Sequence, residues 1–142
     1  MKNLANCKPS EFLKQSNRIK RSVENWLTVT DVLNIRKNLP TLEKIDKDLD
    51  DEARKKIFEE NKRKSEEQIR KNLSVMLDAI LDEHPEETLE LLALLCFVEP
   101  EDVDKYPMED YLQCITEMLT NGAVIGFFTS LARLAQTNTY DA

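Results

Sequence analysis

The chain has 142 residues, 41% of them hydrophobic, with a formal net charge of −7, two glycines and five prolines. That length makes one domain the starting expectation and lets a core form without disulfides or metal. So few turn formers, beside abundant Leu, Glu, Lys and Asp, exclude a hairpin-rich sheet protein and leave the all-α class.

Taken in chain order, Pro9 and Ser10 open a first helix, with Ser10 as its expected N-cap. Phe12, Ile19, Val23 and Trp26 recur at helical spacing and give it one apolar face. A short helix follows Thr30 or Asp31 and stops before Pro40, since the residue before proline disfavours helix. Residues 40–50, "PTLEKIDKDLD", keep no hydrophobic period and read as a linker. A long helix begins near Asp51. Its stretch "EENKRKSEEQ" is charged or polar throughout, with Glu59/Arg63, Glu60/Lys64 and Glu66/Arg70 as i,i+4 pairs. From Ile69 the same helix turns amphipathic through Ile69, Leu73, Met76, Leu77, Ile80 and Leu81.

Three prolines then punctuate the chain, each followed by acids: Pro85 by Glu86 and Glu87, Pro100 by Glu101 and Asp102, Pro107 by Glu109 and Asp110. Proline suits a first helical turn, and acids there complement the helix dipole. Helices are therefore expected over 85–98, as one turn after 100, over 108–120, and over 123–136 following "TNG". Leu89, Leu92, Ala93 and Cys96 share one face of the 85–98 helix, and Leu91, Leu94, Leu95 and Val98 the opposite one. A helix apolar all round is normally buried. The 69–83, 108–120 and 123–136 helices are expected to surround it, with Leu92, Leu95 and Phe127 inside.

The fold expected is thus a small helical bundle with a longer charged helix and an N-terminal helical segment. It forms one domain over 1–142: the N-terminal segment at 1–39, the linker at 40–50, and the long helix plus C-terminal bundle over 51–142. Apolar surface that three amphipathic helices leave uncovered is a candidate partner surface, made of Leu91, Leu94, Leu95, Val98, Phe127 and Phe128.

Charge is unevenly placed. Residues 1–72 hold 18 Lys/Arg against 13 Asp/Glu, whereas residues 73–142 hold 2 against 14. The basic and acidic halves can attract each other within one molecule or between copies. The eight-residue apolar run at 91–98 is far below the roughly 20 residues needed to cross a bilayer. "MKNLANCKPS" has no apolar h-region, so no secretory signal is expected. Cys7, Cys96 and Cys114 are odd in number and widely spaced, which suits free thiols in a reducing cytoplasm.

Chemistry has little foothold in the sequence. His84 is the single histidine, a zinc site needs about four ligands, and no CxxC or HxxxH spacing occurs. No Gly-rich loop offers a phosphate cradle. A binding protein rather than an enzyme is expected, with no cofactor and no metal. The short basic patches "NRIKRS" and "NKRKS" lack interleaved aromatics and sit in an acidic chain, so nucleic acid is not the expected partner.

"MKNLANCKPSEFLKQSNRIKRSVENWL", "HPEETLELLALLCFVEPEDVD" and "AVIGFFTSLARLAQ" together resemble tail assembly chaperones of long-tailed phages and prophages of Gram-positive bacteria. The resemblance is strongest over residues 82–136 and weakest over 40–68. It implies a small helical protein of the host cytoplasm that coats the tape-measure protein while the tail tube polymerises, with the major tail protein as a further partner. It also implies a longer product made by ribosomal frameshifting, and no chemically assigned site residue. The other expectation is a helical adaptor or regulator of a phage or host process, linked to nucleic acid.

Overall fold

The computed structural model describes residues 1–140, with side chains to residue 136. The protein is all-α, and no strand occurs among the described residues. Helix α1 spans Pro9–Thr30, α2 Val32–Arg36 and α3 Asp51–Asp78, which runs on into a π turn, Ala79–Glu83. Helix α4 spans Pro85–Leu95, a 3₁₀ turn Pro100–Lys105, α5 Met108–Leu119 and α6 Gly122–Tyr140. The proline-marked starts at 85, 100 and 107 are all used as expected.

Two compact units divide the chain. The first joins residues 1–25 to residues 86–142, and the second is Trp26–Pro85. The stretch 69–83 therefore belongs with α2 and the 37–50 segment, not with the cluster built on α4.

In the first unit, α1 starts at Pro9, as expected. The cap is Lys8, not Ser10: the Lys8 N–H donates to Glu11 Oε1 at 3.3 Å, and the Phe12 N–H to the Lys8 carbonyl at 2.8 Å. Glu11 at the third helical position thus supplies one arm of a capping box, with Pro9 at the first. Before it, Asn3 and Asn6 fold the N-terminus into a turn. The Asn3 N–H donates to Asn6 Oδ1, and Asn3 Oδ1 accepts from the Ala5 N–H, both at 2.8 Å. Asn3 and Leu4 are buried, and the Cys114 thiol donates to the Lys2 carbonyl at 3.3 Å. The first residues are packed structure held against α5.

Helix α4 ends at Leu95, and Cys96–Val98, expected as helix, form its cap instead. The Val98 N–H reaches back to the Ala93 carbonyl at 3.0 Å and the Phe97 N–H to the Leu94 carbonyl at 3.3 Å. These are the two bonds of a Schellman motif, which needs a left-handed residue where Phe97 stands. Phe97 adopts φ 57° there, with a side chain that glycine would lack. The cap turns Cys96 and Val98 into the core, where they pack with Ala93, Tyr111 and Cys114. The Tyr111 hydroxyl donates to the Val103 carbonyl at 2.6 Å, tying α5 to the 3₁₀ turn. Leu92 and Leu95 are half-buried against this core, but Phe127, expected inside, is exposed.

The second unit is fastened differently. Asp50 caps α3, its carboxylate accepting from the Ala53 N–H at 2.7 Å. Asn61 grips the extended segment twice: its Nδ2 donates to the Glu43 carbonyl at 2.8 Å, and its Oδ1 accepts from the Glu43 N–H at 3.0 Å. Asn72 donates to the Asn38 carbonyl at 2.9 Å and accepts from Gln68 Nε2 at 2.8 Å. The expected linker is therefore latched along α3 by amide side chains. Of the expected stripe, Met76 and Ile80 are half-buried, while Ile69, Leu73, Leu77 and Leu81 are left exposed. Among the expected charge pairs, Arg63 bridges Glu60 and Glu67 rather than Glu59.

The left-handed backbone at residue 97 gives a direct test. Phe97→Gly and Phe97→Ala both remove the ring, but only glycine adopts that backbone freely. In urea unfolding the glycine variant is expected to be more stable than the alanine variant by about 1 kcal/mol. Equal stability, or alanine ahead as in a helix interior, would show that the cap geometry is absent in solution.

Candidate partner-binding surface

The six residues proposed as a partner surface separate into three groups. Leu94 and Val98 are 3% and 8% exposed. They form part of the interior, so neither can offer contact area in this fold. The physical reason is the Schellman turn, which folds the end of the apolar run back onto α4. Leu91 and Leu95 are half-buried. Phe127 and Phe128 remain 48% and 41% exposed and carry the candidate surface forward on α6.

Asn121 starts α6. Its Oδ1 accepts from the N–H groups of Ala123 and Val124, both at 3.1 Å, which makes it a bifurcated N-cap. The helix leaves α5 at an angle of 61°. Its apolar row contains Val124, Phe127, Phe128, Leu131 and Leu134, spaced three and four residues apart. Phe12 of α1 covers the start of the row. Its ring meets Phe127 edge-on with centroids 5.7 Å apart and stacks on Phe128 at 6.1 Å, while the two α6 rings sit 5.4 Å apart. These separations lie in the favourable range for aromatic pairs. Beyond the rings, Leu131 and Leu134 stay exposed. Neither Gly122 nor Gly126 has a neighbour where a Cβ would stand, so that side of α6 is open as well. Sequence reasoning found the two phenylalanines. It passed over Leu131 and Leu134 as surface because the same spacing also marks a core-facing helix.

The electrostatics around α4 are internal. Gln15 Nε2 donates to the Leu94 carbonyl at 2.7 Å, from a buried position on α1. One turn on, Arg18 donates to both carboxylate oxygens of Glu99, at 3.1 and 2.8 Å. Glu101 and Glu90 add to the negative field at the same guanidinium. The patch "NRIKRS" thus spends Arg18 on an intramolecular acid. The charge asymmetry of the sequence closes, at least here, within one molecule.

The thiols are arranged for packing. Burial, reinforced by the neighbouring Cys114, pushes the Cys96 thiol up to about 12, far from a reactive thiolate. The Cys7 thiol is also raised, chiefly by burial. His84 closes the π turn, its backbone N–H donating to the Ala79 carbonyl at 2.9 Å. Among the described residues, no group of three or more His, Cys, Asp or Glu side chains could hold a metal ion. No single helix among them is long and apolar enough to cross a membrane. Compared with protein-family models, curated proteins and solved structures, the chain matches none.

The Arg18 guanidinium holds the Glu99 carboxyl below its usual value, and Lys2, with the Lys8 backbone N–H, does the same for Glu11. A folded-state pKa below the unfolded one means that the ionised form favours the fold. That stabilisation is complete above the unfolded glutamate value of about 4.3 and is lost as pH falls through the lower folded value. Stability is therefore expected to hold from neutral pH to about 5 and to decline below about 4. Glu99→Gln should flatten the decline, read from urea midpoints across that range. Superimposable pH profiles for the two proteins would remove Glu99 from the clamp.

Proposed function

We propose that this chain is a non-catalytic tail assembly chaperone of a long-tailed phage, acting in the bacterial host cytoplasm. It binds helical segments of the tape-measure protein and keeps them soluble while the tail tube assembles. The observation that carries this reading is the apolar row on α6, of which Phe127, Phe128, Leu131 and Leu134 are all exposed although Phe12 packs on its first rings. The resemblance of the 82–136 stretch to such chaperones supports it.

An amphipathic partner helix buries its apolar face in a groove through anchors spaced three and four residues apart. The α6 row has that spacing and rigid aromatic anchors at one end. A surface of this kind suits many similar segments along a long repetitive partner, because dispersion and burial set no sequence-specific demand. The net charge of −7 on the chain favours solubility while the row is bare. Contact with the major tail protein belongs to the same proposal, through the same surface.

The test is co-expression of the full chain with the tape-measure protein, followed by pull-down at low and high salt. Soluble tape-measure protein in the presence of the chain, and aggregated protein without it, is the expected result. Binding should survive 1 M salt, where the Debye length is about 3 Å. Leu131→Asp combined with Leu134→Asp should abolish solubilisation while helical content is unchanged, since both side chains already face solvent. Tape-measure protein equally insoluble with and without the chain, together with a shift of duplex DNA at physiological salt, would replace this reading by a nucleic-acid-linked regulator.

A further inference from the structure

The second unit carries a surface that the α6 reading does not use. Along the end of α3 and through the π turn, Ile69, Leu73, Leu77 and Leu81 follow at four-residue spacing. They are 66%, 53%, 44% and 64% exposed. A row at that spacing drifts around a regular α-helix. The π turn closes wider rings, as in the His84 N–H to Ala79 carbonyl bond, and reduces that drift. Leu81 is thereby kept on the face that the other three define. The opposite, polar face of α3 is occupied by the segment latched to Asn61 and Asn72.

The charges flanking the row are polarised along the helix. Arg70 stands beside its beginning, and Asp78 and Asp82 beside its end. All three are exposed. Among the described residues, none of the three takes part in a salt bridge, although Arg63 and Arg54 earlier on the same helix do. An apolar row with a cation at one end and anions at the other is self-complementary when reversed.

We propose that two copies of this chain pair antiparallel through the 69–83 face of α3 and its π turn. The apolar rows interdigitate, Arg70 of each copy faces Asp78 and Asp82 of the other, and the helix dipoles oppose. Flanking charges of this kind select partner and direction in paired helices. A parallel pair would set like charges side by side at both ends and is disfavoured. A contact along 15 residues of helix is about 22 Å long. It lies at the small end of specific interfaces, so the dimer dissociates on dilution.

The experiment is sedimentation of the full chain over a wide dilution series, with charge-reversed variants. The wild type is expected to move from twice the monomer mass to the monomer mass as it is diluted. Arg70→Glu should raise the dissociation constant about tenfold, as should Asp78→Lys with Asp82→Lys, because each places like charges at both ends of the pair. Mixing these two variants in equal amounts should restore the dimer, since every end then meets its opposite. All the changed residues face solvent, so circular dichroism should match the wild type. A wild type that stays monomeric throughout would overturn the pairing. So would reversals without effect, a mixture that stays monomeric, or a face that takes up only a foreign helix. The inference stands apart from the tail-assembly reading: a monomer that still solubilises the tape-measure protein would end this proposal and leave that one intact.

Discussion

The turn at the end of α4 is the constraint on which the first unit depends. Ala93 and Leu94 offer carbonyls that their own helix can no longer use, and the chain satisfies them by folding back. Val98 and Phe97 donate from the returning strand, and Gln15 donates to the Leu94 carbonyl from α1. The left-handed Phe97 costs about 1 to 2 kcal/mol relative to a relaxed residue. The structure tolerates that cost because the turn is what points Cys96 and Val98 into the core beside Tyr111 and Cys114. A straight continuation of α4 would carry the same side chains into water. The greasy run at 91–98 is thus mainly interior, and the turn makes it so.

The same turn explains where the charges went. Residues 1–25 hold six Lys/Arg and two Asp/Glu, and residues 86–142 hold two and eleven. The fold places these segments in one unit. Arg18 meets Glu99 one residue past the cap, so a bidentate ion pair sits beside the Gln15 hydrogen bond on the same side of α1. Glu99 is exposed enough that water screens the pair. Its role is register, fixing which turn of α1 lies against the loop, more than raw stability. With Arg18 occupied in this way, apolar rows on α3 and α6 are among the surfaces left exposed.

Much of the fold was legible because proline and acid mark helix starts through local physics. Pro85, Pro100 and Pro107 act through a missing N–H and a fixed φ, whatever surrounds them. The faces were harder. The row Ile69–Leu81 has the period of a core-facing helix, yet α3 turns it outward, because Asn61 and Asn72 bind backbone groups of the 38–43 stretch. Hydrophobic pattern counts grease and is blind to an amide that latches a strand. Asn3, similarly, reads as a polar residue near a chain end, but it is buried by a turn shared with Asn6. Of the candidate surface, Phe127 and Phe128 are exposed, whereas Leu94 and Val98 are buried. Val98 is turned inward by a left-handed phenylalanine, which is not a signal that sequence offers for a helix stop.

These features make the first unit a cooperative structure in which α1 closes over the end of α4. Amide hydrogen exchange on the full chain measures that most directly. The account predicts that the Phe97 and Val98 amides, the central amides of α1 and those of α5 around Tyr111 share one opening free energy, equal to that of unfolding the unit. Early, independent exchange of α1 while α4 and α5 stay protected would contradict it.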